Sequence, residues 1–411
     1  MRYGRYTGLI VVALLSVATG AAASEPLIQP FLNEGRLADA EAAVKAELLK
    51  TPDNQDLMFQ LGAVRFFRAV ERLTGSLWEH GFLATRAVGI LGNLPVTPCP
   101  NPKPISYSRL RGIMLRWASD LEEVEASLAK IDSDDVRLPL RFGMIRLDFN
   151  GDGAVSDDDA LWRVFLPAWG GEGGEDAAAK FVIDFDLGDA YWLRGYCHLL
   201  MGIAEFALAH DFHDLFERTG HLLFAKTETP HLVVNERFAM SHEPVPFTTE
   251  IVDVIALVHL MRFSVAEPDR MRSSLRHFEQ MIDLSRRSWE AIDRETDSES
   301  EWLPNPKQTS VMPGGEVMDE MIQSWRRILR EAESILAGKK LVPMWRGVPA
   351  GMGLNIRRIF TEPRDFDPIL WVQGTAATPY LEKGELTDRA VWSEMADVFG
   401  DRIFMFTVWF N

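Results

Sequence analysis

The 411-residue chain is 47 % apolar and 25 % charged, an ordinary balance for a globular protein with a sizeable core. Its formal net charge of −17 repels phosphate and anionic lipid at long range, which argues against nucleic acid and acidic membrane surfaces as partners. A divalent cation or a basic partner suits it better, and two cysteines are too few for a zinc cluster or a redox motif.

At the N-terminus, Arg2 and Arg5 precede an apolar run from Gly8 to Ala18, and Ala21, Ala22 and Ala23 supply small residues for cleavage before Ser24. A basic start, a short apolar stretch and a small-residue end make residues 1–23 a secretory signal peptide, with an uncleaved anchor as the alternative. The run is too short for a comfortable membrane span. The expected mature protein is therefore periplasmic or secreted, cut after Ala23, with no transmembrane span left. Outside the cytosol calcium is plentiful enough for a weak site to fill. There Cys99, in a proline-rich loop, can pair with Cys197, or Cys197 can remain a small buried residue of an apolar helix.

The segment Glu34–Glu71 reads as helix, turn, helix. Ala40 and Val44 precede Pro52, which stops one helix, and Met58, Leu61 and Gly62 follow in the next. This spacing of small and apolar residues resembles one and a half units of a tetratricopeptide repeat, and residues 24–95 are read as such helical hairpins. The resemblance implies a groove offered to a peptide or protein partner, with later helices completing the stack.

Five prolines between Leu94 and Pro104 mark a loop, after which residues 105–340 read as a helical core. Leu110, Ile113, Met114, Trp117, Leu121, Val124 and Leu128 form one stripe on a helix over Tyr107–Ile131. Pro139 suits the first turn of a short helix leading into residues 148–159.

Those twelve residues carry oxygen donors at alternate positions: Asp148, Asn150, Asp152, the carbonyl of Ala154, Ser156 and Asp159, with Gly153 at the sharp turn. A hard cation takes six to eight oxygens, and only a tightly turned loop brings alternating residues to one point. Val155 can point inward and tie the loop to a core. The loop resembles an EF-hand, and Asp in place of Glu at its last position brings it nearer to the loops of dockerins. The resemblance implies a bound Ca2+ on those six residues. Asp159 is a methylene short of Glu, which puts two-oxygen reach in doubt, and the single copy argues against cohesin binding. Without an ion the stretch is an acidic surface turn whose carboxylates repel one another. Leu161, Trp162 and Phe165 begin the exit helix, ended by Pro167 and the glycines of 170–174.

Val182–Phe216 is the most apolar span, interrupted by Arg194, His198 and Glu205, and reads as a central buried helix with His198 and Glu205 as a core pair. Asp184, Asp186 and Asp189 open it, where acids complement the helix dipole and cap free N–H groups. Further helices are predicted at Thr249–Phe263, Pro268–Asp297 and Gly315–Ala337, the last stopped by Gly338. Residues 341–411 form an aromatic-rich tail packed on the core, with Pro368–Val372 and Ile403–Phe410 as strands or extended pieces.

His210, His213, Asp214, Glu217 and His221 recur at three- and four-residue steps and would share a helix face, solvated or able to hold a transition metal. Arg357, Arg358 and Arg364 can grip an anion or pair with nearby acids. No nucleophile elbow, phosphate loop or dinucleotide fingerprint is present. The fold class is thus mainly α: helical hairpins, a helix–calcium loop–helix insert and a small β element at the C-terminus. The function expected is an exported calcium-binding scaffold for a peptide or protein partner. The alternative is a periplasmic hydrolase using the Asp184 cluster or the His210–His221 face.

Overall fold

The computed structural model describes residues 25–87, 92, 94–165, 174–231, 234, 249–298, 300–311, 315–388, 390, 391 and 393. The leader and the Ile403–Phe410 run lie outside the described residues. The chain is mainly helical. In order, it forms α1 (Gln29–Asn33), α2 (Leu37–Leu48), α3 (Gln55–Glu79), α4 (Tyr107–Leu128), β1 (Leu138–Leu140), α5 (Leu161–Phe165) and α6 (Glu175–Lys180). Then come β2 (Ile183–Phe185), α7 (Leu187–Leu208), β3 (His210–Asp211), α8 (His213–Thr219), α9 (Thr249–His259), β4 (Ser264–Val265) and α10 (Pro268–Ile292). The C-terminal part holds α11 (Asp319–Leu336), β5 (Val342–Pro343), β6 (Met352–Leu354), α12 (Ile356–Thr361), α13 (Pro368–Gln373) and β7 (Leu381–Lys383).

Local signals set most helix ends. Asn54 and Ser106 accept the N–H groups of Leu57 and Arg109 and so cap α3 and α4. Pro268 sits in the first turn of α10, and Gly338, at φ +72°, ends α11. The main core gathers Ala40 and Val44 of α2, Phe59 and Val64 of α3, Leu121 and Leu128 of α4, and Cys197 and Met201 of α7. Cys99 and Cys197 are both free thiols.

Against this core α10 lies antiparallel to α7, and the two backbones come close because small residues face one another. A Cβ on Gly202 would sit 2.7 Å from the Phe278 ring, and one on Gly188 would sit 2.7 Å from Ile292. Ser274 and Ser288 use that proximity to donate their hydroxyls to the carbonyls of Gly202 and Gly188 at 2.7 and 2.8 Å. Gly62 does the same for α3 and α4: a Cβ there would overlap the Leu128 side chain.

The sheets are small and antiparallel. β1 pairs β2 with Pro139 opposite Asp184, β3 pairs β4, and β6 lies between β5 and β7. Two expectations change. Pro139 lies in β1 rather than opening a helix, since a two-stranded sheet tolerates a residue without an N–H while Leu138 and Leu140 turn inward. Residues 368–373 are helical, not extended: Asp367 caps the Leu370 N–H, Pro368 fits the first turn and Gly374 ends it at φ +107°. These terminal signals outweigh the β-branched composition. The small β element of the tail comes instead from β5, β6 and β7.

Replacing Gly62 by Ala forces the fully buried Leu128 to move and should cost about 1–3 kcal/mol. Gly112→Ala, with nothing within 4 Å, should instead stabilise α4 by about 0.5–1 kcal/mol. Urea unfolding of both variants checks the pair, and equal effects would contradict the close approach of α3 and α4.

Candidate metal centre

The loop of residues 148–159 winds inward through side-chain-to-backbone hydrogen bonds. Asp148 accepts the N–H groups of Asp152 at 3.2 Å and Gly153 at 2.9 Å, one on each carboxylate oxygen. Asn150 accepts from the Asp152 N–H at 3.0 Å and donates its amide to the Asp152 carboxylate at 3.0 Å. Asp152 accepts the Ala154 N–H at 2.8 Å. Gly151 and Gly153 take φ of +62° and +78°, which residues with a Cβ rarely adopt.

Asp148, Asn150 and Asp152 thus gather at the turn. Ser156 and Asp159 form a separate cap, in which the Asp159 carboxylate accepts the Ser156 N–H at 2.7 Å and its hydroxyl at 2.9 Å. Among the described residues, the trio of acids with ligand oxygens all within 4.8 Å lies elsewhere, so Asp148, Asp152 and Asp159 do not converge that closely. The donor set itself fits a hard cation: carboxylates, an amide oxygen, a hydroxyl and a carbonyl.

The loop is fastened at its base. Leu147 N–H donates to the Asp159 carbonyl and Leu161 N–H to the Ile145 carbonyl, so an antiparallel bridge closes it where an entering helix was expected. The exit side does become helical, with α5. Phe149 and Leu147 are buried in the main core. Glu71 of α3 accepts the Asp148 N–H at 3.0 Å, and burial raises its pKa. Gly151 meets Gly75 of the same helix, where a Cβ would come within 3.1 Å of backbone. Val155 lies on Gly35 and remains partly exposed, so it ties the loop to the turn before α2.

The charge partners divide unevenly. Asp157 pairs with Arg146 at 2.8 Å and Asp158 with Arg163 at 3.3 Å. Among the described residues no Lys or Arg forms an ion pair with Asp148, Asp152 or Asp159. Within the loop, the acids at ligand positions are those with no basic partner among the described residues.

The other sequence candidates separate. The histidines after α7 do not share a helix face, because the chain turns through β3 before α8 begins. His210 bonds the Phe206 carbonyl at 2.8 Å, His213 meets Glu217 at 3.1 Å, Arg218 holds Asp214 at 2.8 Å, and His221 meets Asp253 of α9 at 3.1 Å. His198 and Glu205 are both satisfied, but not by each other: His198 meets His277 and Glu205 binds Arg270. Arg357 and Arg358 pair with Glu279 and Glu362.

Asp186 and Asp189 do cap α7. Asp186 accepts the Gly188 and Asp189 N–H groups at 2.8 and 3.4 Å, and Asp189 accepts the Asp186 N–H at 3.2 Å. No local pattern announced what joins them. Glu295, just past α10, and Glu301 bring carboxylate oxygens within 4.8 Å of one another and of Asp186. Both arrive from a loop without periodic pattern, so only long-range folding unites them with Asp186. Burial raises the pKa of Asp186 and, further, of Asp189. Burial, with the Asp186 charge beside it, lifts Glu295 to about 9, so its protonated carboxyl donates to the Asp186 carboxylate. Gln308 donates its amide to Glu295 at 3.2 Å, and Arg137 pairs with Asp297 at 3.5 Å on the nearby rim.

A carboxyl raised from 4.5 to about 9 keeps in the fold a proton that the unfolded chain releases. Its contribution to stability is therefore complete below the lower value and is lost as pH rises through the upper one. Glu295→Gln keeps a donor toward Asp186 and has no proton to lose. Its urea midpoint should gain on that of the wild type between roughly pH 5 and roughly pH 8. Parallel pH curves for the two proteins would contradict the shared proton.

Comparison with family models, curated proteins and solved structures finds no match to this chain.

Proposed function

We propose that the protein is an exported helical scaffold that binds Ca2+ in the loop of residues 148–159 and offers its N-terminal hairpins to a peptide or protein partner. The reading rests on one observation above others: Asp148, Asp152 and Asp159 have no basic partner among the described residues, while Asp157 and Asp158, outside the ligand set, do. A cation at the loop would relieve the repulsion among the first three. Asp148, Asn150, Asp152, the Ala154 carbonyl, Ser156 and Asp159 would hold it.

Calcium in this position acts on the fold rather than on a substrate. The loop touches α3 through Glu71 and Gly75 and the turn before α2 through Gly35, so an ordered loop steadies the hairpin. Export is supported by the basic, apolar and small-residue pattern of residues 1–23. The binding role is supported by the repeat-like spacing from Ala40 to Gly62.

A second reading, a hydrolase, is favoured by the protonated Glu295 beside the Asp186 carboxylate, a pairing that can supply both a general acid and a general base. It ranks lower because Asp186 and Glu301 are buried, with 7 % and 5 % of their surface exposed, which suits a structural proton better than a substrate.

Limited proteolysis of the mature protein tests the calcium reading. In excess calcium residues 139–165 should resist cleavage, and in chelator they should be the first region cut, before α7 or α10. Equal sensitivity of that region in the two conditions would contradict it.

A further inference from the structure

Near the middle of the α7–α10 contact, two imidazoles meet. The Nδ1 atoms of His198 on α7 and His277 on α10 are 2.8 Å apart. The ring centres are 5.1 Å apart, close to that separation plus two ring radii, so the nitrogens meet nearly head-on. This arrangement suits one shared proton; two nitrogens on a single metal ion converge at an angle. On its far side, His198 Nε2 lies 3.7 Å from Glu125 of α4, an electrostatic rather than a hydrogen-bonded distance. Arg194 holds Glu125 with two contacts of 2.9 Å each.

That order fixes the tautomers. Glu125 keeps a proton on His198 Nε2, and when His198 is charged its Nδ1–H donates to the Nδ1 lone pair of His277, so a proton taken up by His277 at Nδ1 enters the contact itself. We propose that Glu125, His198 and His277 form an acid-sensitive clasp that joins α4, α7 and α10 through one shared proton and lets go when a second proton enters. With both Nδ1 atoms protonated, two donors face each other and the contact becomes repulsive.

The surroundings do not absorb the extra charge. The charged groups around the pair are Glu125 from α4, with Arg194 from α7 on it, and Arg276 from α10. Glu125 is already engaged by Arg194. On neighbouring turns Glu205 is taken by Arg270, and Glu279 by Arg357 of α12. Burial, then the charges of His198 and Arg276, push His277 down from 6.5 to about 4. For a base lowered in the fold, the unfolded chain binds the proton first. The stability contributed is present above the ordinary value and is lost as pH falls through the window to about 4.

The test uses the full mature chain in saturating calcium, so that the loop stays constant. The ring protons of His277, assigned through bonds in the wild type, should titrate near pH 4. Amide exchange along α10 around His277, corrected for intrinsic rates, should rise at least about tenfold between neutral and acid pH. His277→Gln, whose amide takes up no proton in that range, should flatten the rise. Titration of His277 near 6.5, or an equal acid-induced rise in wild type and His277→Gln, would overturn the clasp. Should His277→Gln fail to fold, the wild-type titration decides alone.

Discussion

The close antiparallel contact between α7 and α10 is the constraint on which the rest of the molecule depends. Two helices approach this closely only where side chains are small, and Gly188 and Gly202 on one side meet Ser288 and Ser274 on the other. Each serine donates to a helix carbonyl across the interface, a contact worth about 0.5–1.5 kcal/mol that opens wherever the axes separate. The polar pairs follow one register along the contact: Asp186 with Glu295, Gly188 with Ser288, His198 with His277, Gly202 with Ser274, Glu205 with Arg270. A slip of one turn would break every one of these contacts together, so the polar ladder favours the observed register.

The loop of residues 148–159 depends on a different part of the core. Its base is closed by backbone bonds and buried through Leu147 and Phe149, while its turn rests on α3. The acids at its tip gain order from N–H groups but no neighbouring cation among the described residues. A base that is firm and a tip that is electrostatically incomplete are what a local ion site requires. An ion bound there, as proposed, would act on the first hairpin through the loop's contacts with Glu71, Gly75 and Gly35.

Much of the helical plan was legible in the sequence because it is written locally. An apolar stripe located α4, a long apolar span α7, and helices are also predicted where α9, α10 and α11 lie, with Gly338 marking an end. Pro139 and Pro368 show the limit of such reading. The same residue type opens a helix at 368, where Asp367 caps it, and sits in a strand at 139, where β2 is a partner from far along the chain. The six loop donors were legible as a spacing, yet the cap that draws Ser156 and Asp159 together apart from the others was not. Glu295, Glu301 and His277 carried no local signal at all. Their partners lie 109, 115 and 79 residues away in sequence, at Asp186 and His198, and only the α7–α10 contact brings them together.

Calorimetric titration of calcium into the mature, chelator-stripped protein, beside an Asp148→Ala, Asp152→Ala double variant, tests the central claim most directly. One binding event in the wild type, absent from the variant and accompanied by a higher melting temperature, is the result expected. No heat and no shift in melting temperature would mean that residues 148–159 form an acidic turn, and the calcium reading would fall.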